Sequence, residues 1–240
     1  MNQHLRYELA FAYRMFAKNR WDDLTYTHLS VRSHEGDAYF IMPFGLLFDE
    51  VTPDNLIKVD FSGQVIEGQE QIYNPTGYIT HASIYQARQD INAIFHSHTI
   101  CNVAVSSMKQ GLLPLSQWAL HFYNRIGYHD YDSLVLDQMR QGEQLVNDLG
   151  QYDIVMMRNH GVVVCGQDIA QAYYHQHHLE QACEMQCCLL STKTEYVMPD
   201  QEVCQRSNQA LLGFETHNGH RDWQALKRRH QAIFESCLEN

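Results

Sequence analysis

Residues 91–98 read Ile-Asn-Ala-Ile-Phe-His-Ser-His. The run up to Phe95 is apolar apart from Asn92, and it is short and bounded, the pattern of a strand buried on both faces. His96 and His98 follow two residues apart, so on an extended chain both imidazoles leave the same face, close enough to share one ion. Ser97 points the other way. A strand buried on both faces needs helices above and below it. The flanking residues 79–88 and 101–109 have helical period, the second expected to pack back on the strand. The histidine pair then stands at the carboxyl end of the strand, where open sheets tend to hold ligands.

Working outward, residues 25–32 and 37–42 are strand-like around the turn Ser33-His34-Glu35-Gly36, and residues 56–60 and 64–67 are strand-like around Phe61-Ser62-Gly63. Two hairpins point to antiparallel pairing. Ahead of them, Leu5, Leu9, Ala12 and Phe16 mark an amphipathic helix over 5–18. Beyond the central strand, residues 116–132 have no clean period and are expected to be loop and edge strand. A helix is predicted over 136–149, strands over 153–157 and 162–164 meeting at Asn159-His160-Gly161, and a long helix over 169–190 with Asp168 as N-cap. No repeat or linker interrupts the chain. The expected fold is α/β: residues 1–195 form one domain with a central, mainly antiparallel sheet flanked by helices, and residues 196–240 a helical extension packed on it.

Of the 240 residues 45% are hydrophobic, with 14 Tyr and 10 Phe, which excludes a disordered chain. Net charge is −11, and the 17 Lys and Arg are scattered, so no basic stripe could track a phosphate backbone and nucleic acid is not an expected partner. The one basic cluster, residues 227–229 with Arg221, reads as a solvated helix face. The N-terminal residues lack a signal-peptide pattern, and no stretch is long and apolar enough to span a bilayer, so a soluble, cytoplasmic protein is expected. Seven cysteines without a C-x-x-C pair give little support to a zinc-thiolate site.

His160 lies between two apolar runs and is followed by Gly161, which permits close backbone approach, so it is the natural third ligand to His96 and His98. Neutral imidazole is the commonest metal ligand, and three nitrogens with an open position suit catalytic zinc, although other divalent ions accept them. A lone His-x-His pair is more often a surface accident or a structural pair; the strand context and the His-Gly are what favour metal. His175, His177 and His178 are read as surface or interface histidines, since His177 turns about 100° away from His178 on a helix. Glu180 on the same helix is read as a surface or interface charge.

Several segments together, 43–68 (PFGLLFDEVTPDNLIKVDFSGQVIEG), 74–99 (NPTGYITHASIYQARQDINAIFHSHT), 126–133 (IGYHDYDS) and 157–166 (MRNHGVVVCG), resemble the class II aldolase and adducin family, from about residue 5 to 195. The likeness is nearest to the adducin head domain and bacterial adducin-like proteins. It implies a single α/β domain, assembly as a homo-oligomer, commonly a tetramer, a small-molecule substrate, and zinc at His96, His98 and His160, with manganese or iron as other metals. Two departures stand out. Where the family's aldolases carry a working Glu, this chain has Pro75-Thr76-Gly77-Tyr78. Where they hold phosphate with Gly-Asn, it has Thr27-His28-Leu29-Ser30.

The resemblance implies a metal-dependent lyase that performs aldol-type cleavage or decarboxylation on a small oxygenated carbonyl or carboxylate compound. The alternatives are a non-enzymatic adducin-like scaffold, which the missing Glu would explain, and a non-haem iron oxygenase. Acid/base work falls to Tyr78, His81 and Tyr131, with Tyr123 and His129 as further candidates, because a phenol beside a cation can have its pKa lowered. Substrate contacts fall to His28, Ser30, Gly45, Thr76, Gly77 and Arg125, the arginine being suited to bidentate contact with an anion.

Overall fold

The computed structural model describes residues 1–68, 72–133 and 137–237. The strands are β1 (His28–Arg32), β2 (Ala38–Ile41), β3 (Ile57–Asp60), β4 (Val65–Glu67), β5 (Ala93–Ser97), β6 (Ile126–His129), β7 (Ile154–Met157) and β8 (Gly161–Gly166). They form one eight-stranded sheet in the order β4-β3-β2-β1-β5-β8-β7-β6. Every neighbouring pair is antiparallel except β6 and β7, which run parallel. The expected α/β fold on a central, mainly antiparallel sheet is what the chain forms.

The helices are α1 (Asn2–Asn19), α2 (Pro75–Ala87), α3 (Ile100–Ser107), α4 (Gln117–Leu120), α5 (Glu143–Leu149), α6 (Ile169–Ser191), α7 (Gln201–Leu212), α8 (His220–Arg229) and α9 (Gln231–Ser236). Alternation along β5 divides them between two layers. Ala93 and Phe95 join a core with Phe11 and Phe16 of α1, Val105 of α3, Leu179 and Cys183 of α6, and Trp223 of α8. Ile94, between them, joins a second core with Ile79 and Ala82 of α2 and Leu145 and Leu149 of α5. All five β5 residues are buried, because helices cover both faces.

Residues 116–132, expected as loop and edge strand, contain the short α4 and then β6, which is indeed an edge strand. Of the helix expected over 136–149, Leu136 lies outside the described residues. Gln138–Gly142 winds as a wider, π-type turn before α5 begins. Asp168 caps α6 as expected, its side chain accepting from the Gln171 amide at 2.8 Å. At the C-terminus, Trp223 of α8 stacks edge-on against Phe11, with centroids 5.1 Å apart, and its indole N–H donates to Glu8 of α1 at 2.5 Å. Among the described residues, no helix is long and apolar enough to cross a membrane.

Candidate metal centre

The ladder places the site. His28 of β1 is paired with His96 of β5, and β8, beginning at Gly161 directly after His160, pairs with β5 through Val162 and Ser97. His96, His98 and His160 therefore meet at one end of the three central strands, each offering a ligand atom within 4.8 Å of the others. The approach is tight at Gly161. A Cβ there would stand 2.3 Å from the Ser97 carbonyl oxygen and 2.9 Å from the His98 ring, so only glycine lets the strands close on the pair.

The ring orientations are fixed from behind. His96 Nδ1 lies 2.9 Å from the Val162 carbonyl oxygen and His98 Nδ1 lies 3.0 Å from a carboxylate oxygen of Asp23. Both partners only accept, so both Nδ1 atoms carry the proton and both Nε2 atoms present lone pairs. Those two Nε2 atoms face each other at 2.8 Å. Two lone pairs at that distance repel unless a cation lies between or beside them, so the donor set fits a divalent ion. Burial also pushes His96 well below its ordinary pKa and His160 down to about 4, and the neighbouring histidines add to both shifts. Those of His96 and His160 are thus neutral, the form that binds metal.

Beside the triad, the His28 ring lies 5.0 Å from that of His96. Behind it runs a buried chain of hydrogen bonds: His28 Nδ1 to His81 Nε2 at 2.7 Å, His81 Nδ1 to Ser30 Oγ at 2.5 Å, and Ser30 Oγ to Tyr85 Oη at 2.8 Å. Burial holds His28 down at about 3 and His81 well below its ordinary value. Gly77 makes room for this ring, since a Cβ there would come within 2.9 Å of His28 Cδ2. His160 is flanked by Tyr131, ring centroids 6.4 Å apart, and a depression lined by His129, Asp130, Tyr131, Arg158 and His160 adjoins it. His129 is itself fixed by Asp148 at 2.7 Å.

The expected site residues separate into three groups. His96, His98, His160, His28 and Tyr131 come together. His81 and Ser30, expected to act on or touch substrate, are fully buried behind His28 and reach the site only through it. The third group is elsewhere or at the rim. Tyr78 sends its hydroxyl to the Phe61 carbonyl at 3.1 Å, in the β3–β4 turn at the opposite strand end from His28. Arg125 precedes β6 and pairs with Asp153 before β7 at 3.4 Å, whereas the triad lies at the other end of those strands. Thr76 donates to its own helix cap, Asn74, at 2.8 Å. Gly45, with φ +105, sits in open space in the loop whose Phe44 packs on Tyr26.

Sequence reasoning missed Asp23, which no spacing connects to His98, and it misread Glu180. That residue is 1% exposed, its carboxylate accepting from Thr99, Asn102 and Gln176. The signal was present: Tyr173, Gln176, Glu180 and Cys183 fall at three- and four-residue steps on the buried stripe of α6. His175 is likewise buried, against the Cys165 carbonyl at 3.0 Å, while His177 is exposed.

Comparison with known proteins gives a consistent answer. Residues 7–187 match the model for the Class II Aldolase and Adducin N-terminal domain. An aldolase II superfamily protein from Pseudomonas syringae superposes with a TM-score of 0.86 at 37% identity, covering 98% of this chain and 92% of that one. An L-fuculose 1-phosphate aldolase from Glaciozyma antarctica superposes at 0.81 with 26% identity, covering 98% and 89%. Alpha-adducin of Rattus norvegicus is 38% identical over 192 residues, which is 78% of this chain but 26% of that much longer protein.

Proposed function

The chain belongs to the class II aldolase and adducin family, and on that premise we propose that it is a metal-dependent lyase. Its substrate is a small oxygenated carbonyl or carboxylate compound, cleaved by aldol-type reaction or decarboxylation, and His96, His98 and His160 hold the ion, zinc before manganese or iron. The observation that carries this reading is the pair of unprotonated Nε2 atoms 2.8 Å apart, both locked in that tautomer by partners on Nδ1. When bound, the ion supplies Lewis acidity that stabilises negative charge developing on a substrate oxygen.

The protein's own groups do the rest. His28, with Nδ1 engaged by His81, has Nε2 left to hold a substrate oxygen or to carry a proton. Tyr131, on the other side of the triad and more than half exposed, has a hydroxyl available as a proton donor. Neither is the Glu of the family's aldolases, so the reaction need not be sugar-phosphate cleavage. Leu24 and Tyr26, close after Asp23 in the chain, and Ile100, close after His98, are exposed, and Phe44 packs on Tyr26, which supports a homo-oligomer, a tetramer by family expectation, with the site near a boundary between copies.

The test is elemental analysis of the purified chain beside His96→Ala. About one equivalent of zinc in the parent and a loss of most of it in the variant is expected, with aldehyde or CO2 release from hydroxy-carbonyl and hydroxy-acid substrates abolished by chelation. Equal metal content in both proteins would sink the assignment. A metal-loaded parent inert toward both substrate classes would favour an adducin-like binding module instead.

A further inference from the structure

Side chains alternate through residues 96–99. His96 and His98 turn toward each other, whereas Ser97 and Thr99 turn toward α6. Gln176 Nε2 donates to Ser97 Oγ at 2.9 Å, and Thr99 Oγ1 donates to the Glu180 carboxylate, 2.9 and 3.1 Å from its two oxygens. Gln176 and Glu180 are one helical turn apart and joined, Nε2 to Oε1, at 2.6 Å. Asn102, in the first turn of α3, donates to the same oxygen at 2.6 Å, and Thr99 is the N-cap of that helix. His98 lies one residue beyond the end of β5, so the ladder does not hold it. Asp23 and the Thr99 attachment do.

A carboxylate buried with only neutral donors is costly to keep. Burial pushes Glu180 up to about 7, against the pull of its hydrogen bonds. Packing of α6 alone would be served by an apolar residue, as Leu179 and Cys183 of the same helix serve it in the core.

We propose that Glu180, acting with Gln176, is a positioning residue of the metal centre: by tying Thr99 and Ser97 to α6 it sets the spacing at which His96 and His98 meet one ion. This rests on the metal assignment. Bonds made by the alternate residues fix the backbone from which the ligands project, and the rigid 23-residue helix is the reference against which they are fixed.

The experiment measures zinc affinity of the full chain by competition with a chromophoric chelator, for the parent, Glu180→Ala, Glu180→Gln and Thr99→Val, together with zinc-free melting and the visible spectrum of the cobalt-loaded proteins. Glu180→Ala and Thr99→Val should bind zinc about 10–100-fold more weakly and show altered cobalt bands. Glu180→Gln should stay close to the parent, because its carbonyl can accept from Asn102 and Gln176 while its amide donates to Thr99. A merely structural role would lower melting temperatures and leave zinc affinity unmoved, and that result in folded variants overturns the proposal. Should Glu180→Ala not fold, Thr99→Val, which removes one hydroxyl, decides the matter. A parent that binds no zinc overturns the metal assignment and the clamp together, whereas a zinc-binding parent matched by its variants overturns the clamp alone.

Discussion

His28 can lie against the triad only because residue 77 has no side chain, and the two glycines of the site differ in what a methyl group would meet. At Gly161 the obstacle is the Ser97 carbonyl oxygen at 2.3 Å, part of a ladder that cannot yield. At Gly77 it is the edge of one imidazole at 2.9 Å. Gly161→Ala should therefore cost about 2–3 kcal/mol and lower Tm by roughly 4–12 °C in a chain of this size. Gly77→Ala gains about 0.5–1 kcal/mol of helix propensity in α2, which offsets much of the displacement of His28. Melting curves separate the two: a Gly161→Ala protein as stable as Gly77→Ala would contradict the close approach of β8 to β5.

At the scale of elements, the alternation 96–97–98 was legible in the sequence because period two follows from strand geometry alone, and Ser97 does face away from the two histidines. The hairpins, the long α6 and its Asp168 cap were legible for the same local reasons. What could not be read was set by tertiary packing. Tyr78 lies on the expected helix, yet its hydroxyl reaches Phe61; Arg125 is next to the expected edge strand, yet at its wrong end; Glu180 looks like any helix-surface charge until α3 covers it. The same holds for α8, a polar helix with one tryptophan. Trp223 is 3% exposed, touches Phe11 and Tyr173, and donates to Glu8, which Lys227 also engages. Trp223→Ala should cost about 3–5 kcal/mol by the usual toll of truncating a buried aromatic. A shift of under ~1 kcal/mol in urea unfolding would mean that α8 is not part of the cooperative core.

At the scale of the whole molecule, buried histidines dominate the response to acid. His28, His121 and His160 have their pKa held down, to about 3, 4 and 4, chiefly by burial, and His81, His96 and His175 are lowered as well. An unfolded histidine takes a proton near pH 6.5 and the folded one does not, so stability is full above about 6.5 and falls as the pH drops toward 4. Glu180 works in the opposite sense, being raised to about 7, so that its destabilising ionisation sets in only as the pH rises from about 4.5 to 7. The lowered histidines, which also include His177, His178 and His230, outnumber the raised carboxylates Glu180 and Asp22, so acidification brings a net loss. Chelator-treated protein should melt progressively lower from pH 6.5 to 4, and a flat profile would contradict the burial of these rings. The parallel pairing of β6 with β7 has a consequence of its own. Two parallel neighbours cannot be joined by a tight turn, so after His129 the chain must travel back to the start of β7 at Ile154, by way of α5. The described opening of that path, residues 130–133, lies beside His160 and pairs with no strand, whereas α5 is held in the core by Leu145 and Leu149. Substitutions in that opening can therefore change what meets His160 without disturbing the register that brings the three ligands together, which makes it the stretch where new substrate preferences could evolve at least risk to folding.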